Sequence, residues 1–317
     1  MAVSNREIIV LALGGNAILQ RRERGTFDQQ YRNVQATMAQ VADLVVDGLQ
    51  VVITHGNGPQ IGATLLRHEL SKRTVPALPL HACGAETQGF LGYVIQQTLQ
   101  SELAQRGQDR AVVTILTQVE VDREDSAFQN PTKPVGPFYS ESEKREMEKS
   151  GKGWMFVEDS GRGYRRVVPS PDPKAVVEGA AIKKLVHDGA VVIACGGGGI
   201  PVAGSGPSRY GMDAVIDKDL SAERLATTIG ASRLVILTDV QGVFLNYGRK
   251  NEELLSKVNL KELSKHARTG QFASGSMGPK VEAVVRFLRN GGGSAVIAYL
   301  GSLKDAVEGH SGTQITP

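Results

Sequence analysis

Cysteine is scarce in this chain: Cys83 and Cys195 are the only two among 317 residues. Two thiols supply neither a disulfide framework nor a metal-ligand set, so a reducing, cytoplasmic setting is expected. Charge bias is missing too. Lys plus Arg number 36 against 33 Asp plus Glu, a formal net charge of +3. That balance gives no reason to expect a nucleic acid or a membrane surface as partner. No apolar run approaches membrane-spanning length. The opening residues, MAVSNREIIV, carry Arg6 and Glu7 and lack the apolar core of a signal peptide. There is no repeat of fixed period and no low-complexity tail.

Several catalytic signatures are absent as well. Without G-x-x-x-x-G-K-[ST] a P-loop is excluded, and without G-x-G-x-x-G after the first apolar run a Rossmann dinucleotide site is weakened. No G-x-S-x-G elbow occurs. His55, His68, His81, His187, His266 and His310 show no H-E-x-x-H spacing, which argues against a zinc site. His55 and His81 flank turns and are read as hydrogen-bonded structural histidines. The two cysteines are read as buried small apolar residues.

What is present is a strand-and-turn rhythm in a chain long enough for two lobes or one large α/β unit. Ile8 to Leu13 is an unbroken apolar run, the mark of a strand buried on both faces, and it runs into Gly14-Gly15-Asn16. Thr26 is placed to cap a helix whose apolar face carries Val34, Met38, Val41, Ala42 and Val45, stopped by Gly48. Gln50 to Thr54 is a second strand, ending in His55-Gly56-Asn57-Gly58-Pro59-Gln60, with a helix starting near Gln60. A helix is expected over Glu86 to Arg106 and a strand over Val112 to Leu116. Two strand–helix–strand units in a row predict an open, doubly wound, mostly parallel α/β sheet sandwiched by helices.

From Gln118 to about Pro173 the apolar periodicity is lost. Prolines 131, 134 and 137 bracket NPTKPVGPFY, and a charged helix is expected over Glu141 to Lys149. Long excursions inside compact domains are commonly lids or binding loops, so 118–173 is read as a small protruding lid subdomain. The rhythm then resumes. A helix is expected over Asp172 to Asp188 and strands over Ala190 to Cys195, Arg233 to Leu237 and Ala295 to Tyr299.

Five strands thus end in glycine-bearing or Thr-Asp turns, at 14–15, 56–58, 196–199, 238–242 and 301. One Gly-Gly pair alone is more often a tight structural turn. Several at one sheet edge make a trough lined with backbone amides, suited to a phosphate-rich ligand. Lys133, Lys218 and Lys280 sit beside these Gly/Pro segments, where a side chain can reach into a cleft. A phosphoryl group in flight carries charge on three equatorial oxygens, so positioned cations are its main catalytic requirement. Asp219, at a helix start beside Lys218, could fix two ammonium groups, although a helix dipole alone would account for an Asp there.

ALGGNA (Ala12 to Ala17), HGNGPQ (His55 to Gln60), NPTKPVGPFY (Asn130 to Tyr139), AVIDKD (Ala214 to Asp219), ILTDV (Ile236 to Val240) and GSMGPK (Gly275 to Lys280) together resemble the carbamate kinases of the amino acid kinase superfamily. The resemblance runs essentially end to end. It implies the amino acid kinase fold and a reversible, Mg2+-dependent transfer between carbamoyl phosphate and ADP, giving ATP and carbamate, in fermentative arginine catabolism. It further implies a cytoplasmic homodimer. Residues 1–200 would form the lobe that holds carbamoyl phosphate or carbamate at Gly14, Gly15, Asn16, Gly56, Asn57 and Gly58. Residues 201–317 would hold ADP or ATP at Lys218, Thr238, Asp239, Met277, Gly278 and Lys280. Lys133, Lys218 and Lys280 would screen the phosphates, Asp219 would orient Lys218 and Lys280, and no protein-bound metal is expected. His55 departs from the small hydroxyl residue often found before this turn and could alter the pocket rim. Two alternatives remain: a kinase of another small carboxylate, as acetylglutamate kinases are, and a nucleotide-binding regulatory protein with a decayed site.

Overall fold

The computed structural model describes residues 7–20, 22–149, 151, 153–158, 163–273 and 275–317. The chain begins with β1 (Ile8–Leu13), α1 (Phe27–Val46), β2 (Gln50–His55), α2 (Gly58–Ser71), α3 (Leu80–Gln105) and β3 (Val112–Thr114). The excursion holds β4 (Gln118–Val121), β5 (Lys133–Tyr139), α4 (Glu141–Lys149), β6 (Met155–Glu158), β7 (Tyr164–Val168) and β8 (Pro173–Val176). Then come α5 (Gly179–His187), β9 (Val191–Ile193), β10 (Ile200–Ala203), β11 (Tyr210–Gly211), α6 (Lys218–Ile229) and β12 (Arg233–Thr238). The last stretch contains β13 (Phe244–Leu245), β14 (Glu253–Leu254), β15 (Lys257–Asn259), α7 (Leu260–Arg268), α8 (Met277–Arg289), β16 (Ser294–Tyr299), α9 (Leu303–Val307) and β17 (Thr313–Thr316).

The central sheet has eight strands in the order β15-β17-β16-β12-β1-β2-β9-β3. From β16 to β3 every pairing is parallel, whereas β17 runs antiparallel to β16 and β15 pairs parallel to β17. Parallel strands bring their carboxyl ends to one edge, so the turns after β1, β2, β9, β12 and β16 share that edge. Successive residues of β1 serve opposite layers. Val10 and Ala12 pack with Ile182, Leu225 and Val284 from α5, α6 and α8. Ile9 and Leu11 pack with Met38, Val41, Ile95 and Leu99 from α1 and α3. Both faces are covered, which is why these strands are apolar without alternation. Thr26 caps α1 in a reciprocal box with Gln29, each side chain bonded to the other's backbone.

The excursion contains more structure than its sequence announces. Its span divides between two small sheets. β5, β7 and β6 form an antiparallel sheet in that order, while β4 and β8 pair with each other beside β10 and β11. The helix expected from Asp172 begins only at Gly179, because Pro173–Val176 pairs with β4 instead, Val119 opposite Val176. Conversely, α3 starts at Leu80, six residues earlier than its apolar spacing indicates, directly after Pro79.

Candidate active site

The carboxyl edge of the sheet opens into two adjoining cavities of about 250 and 240 Å³. Gly15, Pro59, Lys218, Gly275, Ser276 and Lys280 line both, so they form one trough. At one end stand Gly14, Asn16, Thr238 and Asp239, and at the other Gly56, Asn57, Gly58, Lys133, Asp217 and Asp219. The first turns of α2, α6 and α8 all reach the trough, through Gly58, Lys218 and Lys280. Three helix N-termini aimed at one cleft favour a polyanion there.

The charges are braced in pairs. Asp219 is 2% exposed. One of its carboxylate oxygens accepts from Lys218 Nζ, and the other accepts from Lys280 Nζ at 3.0 Å. Lys280 Nζ also approaches the Ser276 carbonyl oxygen, at 3.4 Å. Across the trough Lys133, the first residue of β5, donates to Asp217 at 2.7 Å. Asp217 caps α6, accepting from the Asp219 backbone N–H at 2.9 Å. Burial pushes the Asp217 carboxyl up, but Lys133, Lys218 and the cap bond outweigh it and hold it near a pKa of about 2. Burial lowers the Lys218 ammonium, with Asp219 opposing and Lys280 adding to the fall. Two aspartates therefore organise three lysines contributed by the excursion, α6 and α8.

Glycine leaves room where Lys218 passes. A Cβ on Gly56 would lie 3.3 Å from Lys218 Cδ and 3.5 Å from the Gly15 nitrogen. At Gly197, φ is +66° and a Cβ would overlap the Asn57 side chain at 2.3 Å. Asn57 itself is buried, its amide donating to Thr87 Oγ1 at 2.8 Å. His55 lies under the turn and not on its rim: it is 1% exposed, and its Nδ1 is 3.0 Å from the Gly56 carbonyl oxygen. Thr238 Oγ1 and Asp239 Oδ1 are 3.3 Å apart.

Of the residues singled out in the sequence, Met277 and Gly278 do not line the trough. Met277 packs against the core, and the Gly278 N–H bonds back to the Ala273 carbonyl oxygen at 2.8 Å. Their neighbours Gly275 and Ser276 line it instead. Sequence reasoning also passed over Asp217, although its place before a helix start is the signature of a capping residue.

A trough of amides and braced lysines at a parallel sheet edge is the apparatus of a phosphoryl-transfer protein. The family model for the amino acid kinase family matches residues 7–299, and the chain belongs to that family. A carbamate kinase of Pyrococcus horikoshii is 52% identical over 98% of this chain and 99% of its own length. One of Pyrococcus furiosus is 51% identical at the same coverage. Among solved structures, carbamate kinase from Giardia lamblia bound to AMP-PNP superposes with a TM-score of 0.92 at 42% identity, covering 98% of this chain and 99% of that one.

Proposed function

We propose that this chain is a carbamate kinase, transferring a phosphoryl group reversibly between carbamoyl phosphate and ADP to give ATP and carbamate. In the ATP-forming direction the bond from phosphorus to the carbamate oxygen breaks as one forms to a β-phosphate oxygen of ADP. Carbamate leaves as an anion and then decays to ammonia and carbon dioxide. In either direction the attacking oxygen is already anionic, so no general base is required, and catalysis reduces to alignment and charge neutralisation.

The observation that carries this reading is the set of three braced lysines in one trough. Carbamoyl phosphate is assigned to the end bounded by Gly15, Gly56, Asn57, Gly58 and Lys133 within residues 1–200. Gly14 and Asn16, expected beside carbamoyl phosphate, line the same end as Thr238 and Asp239 and are assigned to the nucleotide's phosphates. ADP is assigned to the end bounded by Thr238 and Asp239 within 201–317, with Met277 and Gly278 supporting the Ser276 turn. Lys218 and Lys280 then lie over the transferred group, and Lys133 closes on it from the excursion.

Mg2+ fits as a companion of the nucleotide. Lysines engage Asp217 and Asp219, so the phosphate oxygens and water are left as the metal's main ligands, a common arrangement for this ion. It would neutralise charge on the bridging phosphates. We also assign the protein to the cytoplasm as a homodimer acting in arginine catabolism; no helix among the described residues is long and apolar enough to cross a membrane.

The test is ATP formation from ADP and carbamoyl phosphate with Mg2+, run beside acetylglutamyl phosphate as rival donor. Turnover with carbamoyl phosphate alone is expected. Preference for the rival donor would move the chain to another substrate, and tight ADP binding with zero turnover would make it a regulatory protein.

A further inference from the structure

The gap between α2 and α3 holds a group of side chains that phosphoryl transfer leaves unused. His68 is on α2, while Cys83 and Glu86 lie three residues apart on α3, close to one another on its surface. One ligand atom from each of the three lies within 4.8 Å of the other two. His68 Nε2 and Glu86 Oε2 are 3.2 Å apart, with side chains 19% and 46% exposed. The Cys83 thiol is fully buried beneath them and donates a long hydrogen bond, 3.8 Å, to the Leu78 carbonyl oxygen. His68 borders two cavities of about 400 and 800 Å³, and Glu86 borders the larger, so solvent can reach the outer two ligands.

We propose that His68, Cys83 and Glu86 form a site for one soft divalent cation of the zinc class, clamping α2 to α3 beside the base of the excursion. Thiolate, imidazole and carboxylate together suit zinc, whereas Mg2+ and Ca2+ select oxygen sets. Three protein ligands leave a fourth position for water from the cavity. Bonds of about 2.0–2.3 Å to a tetrahedral ion need ligand atoms roughly 3.5 Å apart. Rotamer changes at the partly exposed His68 and Glu86 would close that difference. Cys83 packs with Ile61 of α2, Val135 of β5 and Val168 of β7, so the clamp would stiffen the wall on which the excursion rests. The absence of H-E-x-x-H excludes one helix-borne motif; here the ligands come from two helices.

Cation entry replaces the thiol proton with a metal–sulfur bond, and the proton leaves to solvent. Because the thiolate and the neutral imidazole are the ligating forms, affinity should rise as pH rises from 6 to 9. The test is titration of the full chain with Co2+ at pH 8, without nucleotide or carbamoyl phosphate. One equivalent should bind with a sulfur-to-cobalt band in the near ultraviolet and tetrahedral bands in the visible, displaced by Zn2+. Cys83→Ser should lose the ultraviolet band, and His68→Ala should weaken binding at least about tenfold. Both should keep basal ATP formation without added cobalt or zinc. Because Cys83→Ser could disturb the core, Glu86→Gln at the half-exposed position provides the check and should also weaken binding. No stoichiometric binding, binding without the sulfur band, or unchanged affinity in His68→Ala and Glu86→Gln would overturn the proposal.

Discussion

At Gly56 a single hydrogen atom stands where any other residue would press on Lys218. The added Cβ would sit 3.3 Å from Lys218 Cδ, which a flexible stem can yield to, so Gly56→Ala should lose little. Gly56→Val adds two more methyl groups there and should cut turnover at least about tenfold, with the circular dichroism spectrum unchanged. Near-normal turnover in Gly56→Val would make this turn merely structural. His55, one residue earlier, carries a pH prediction. Burial lowers its pKa from 6.5 to about 4, with the Gly56 carbonyl partly opposing and Lys218 reinforcing the fall. Between those values the unfolded chain binds a proton that the native chain refuses. The stability from this group is therefore complete above pH 6.5 and is lost as pH falls to 4, by up to about 3 kcal/mol. Urea denaturation of His55→Asn should show a correspondingly shallower loss over that window, and an equally steep loss would point to another group.

Elements explain which parts of the fold and site could be read in advance. Strands buried on both faces, such as β1 and β2, announce themselves by unbroken apolar runs, and their glycine turns mark the site edge. β5 does not, because Pro134, Gly136 and Pro137 interrupt its pattern and its partner β7 lies some thirty residues away. β8 was hidden for a related reason: pairing with β4 decides its state, and local propensity does not register a distant partner. The Lys133–Asp217 pair spans 84 residues and joins the excursion to the cap of α6, so neither residue's neighbours disclose it. That pair makes the excursion's motion testable. If Lys133 exchanges Asp217 for the phosphate when substrate and nucleotide are both bound, amide exchange across 118–173 should slow by at least about tenfold. Unchanged protection in that segment would count against a lid.

At the scale of the whole molecule, the site exists only because the sheet is continuous. β1, β2, β9 and β3 come from the first two hundred residues, and β12, β16, β17 and β15 from the rest. Their junction at β1 and β12 sets the glycine turn beside Thr238 and Asp239. Asp219 and Lys280 are 61 residues apart on α6 and α8, and packing of those helices against the sheet brings them within 3.0 Å. The two types of residue were legible in sequence; their contact required the fold. The central claim is that Asp219 and Lys280 act as one charge assembly on the transferred phosphoryl group. Turnover in the ATP-forming direction, measured for Asp219→Asn, Lys280→Met and the double variant, tests it most directly. Each single change should cost about 2.7–4 kcal/mol, a hundred- to a thousandfold, and the double variant much less than their sum. Losses that simply add would contradict the account.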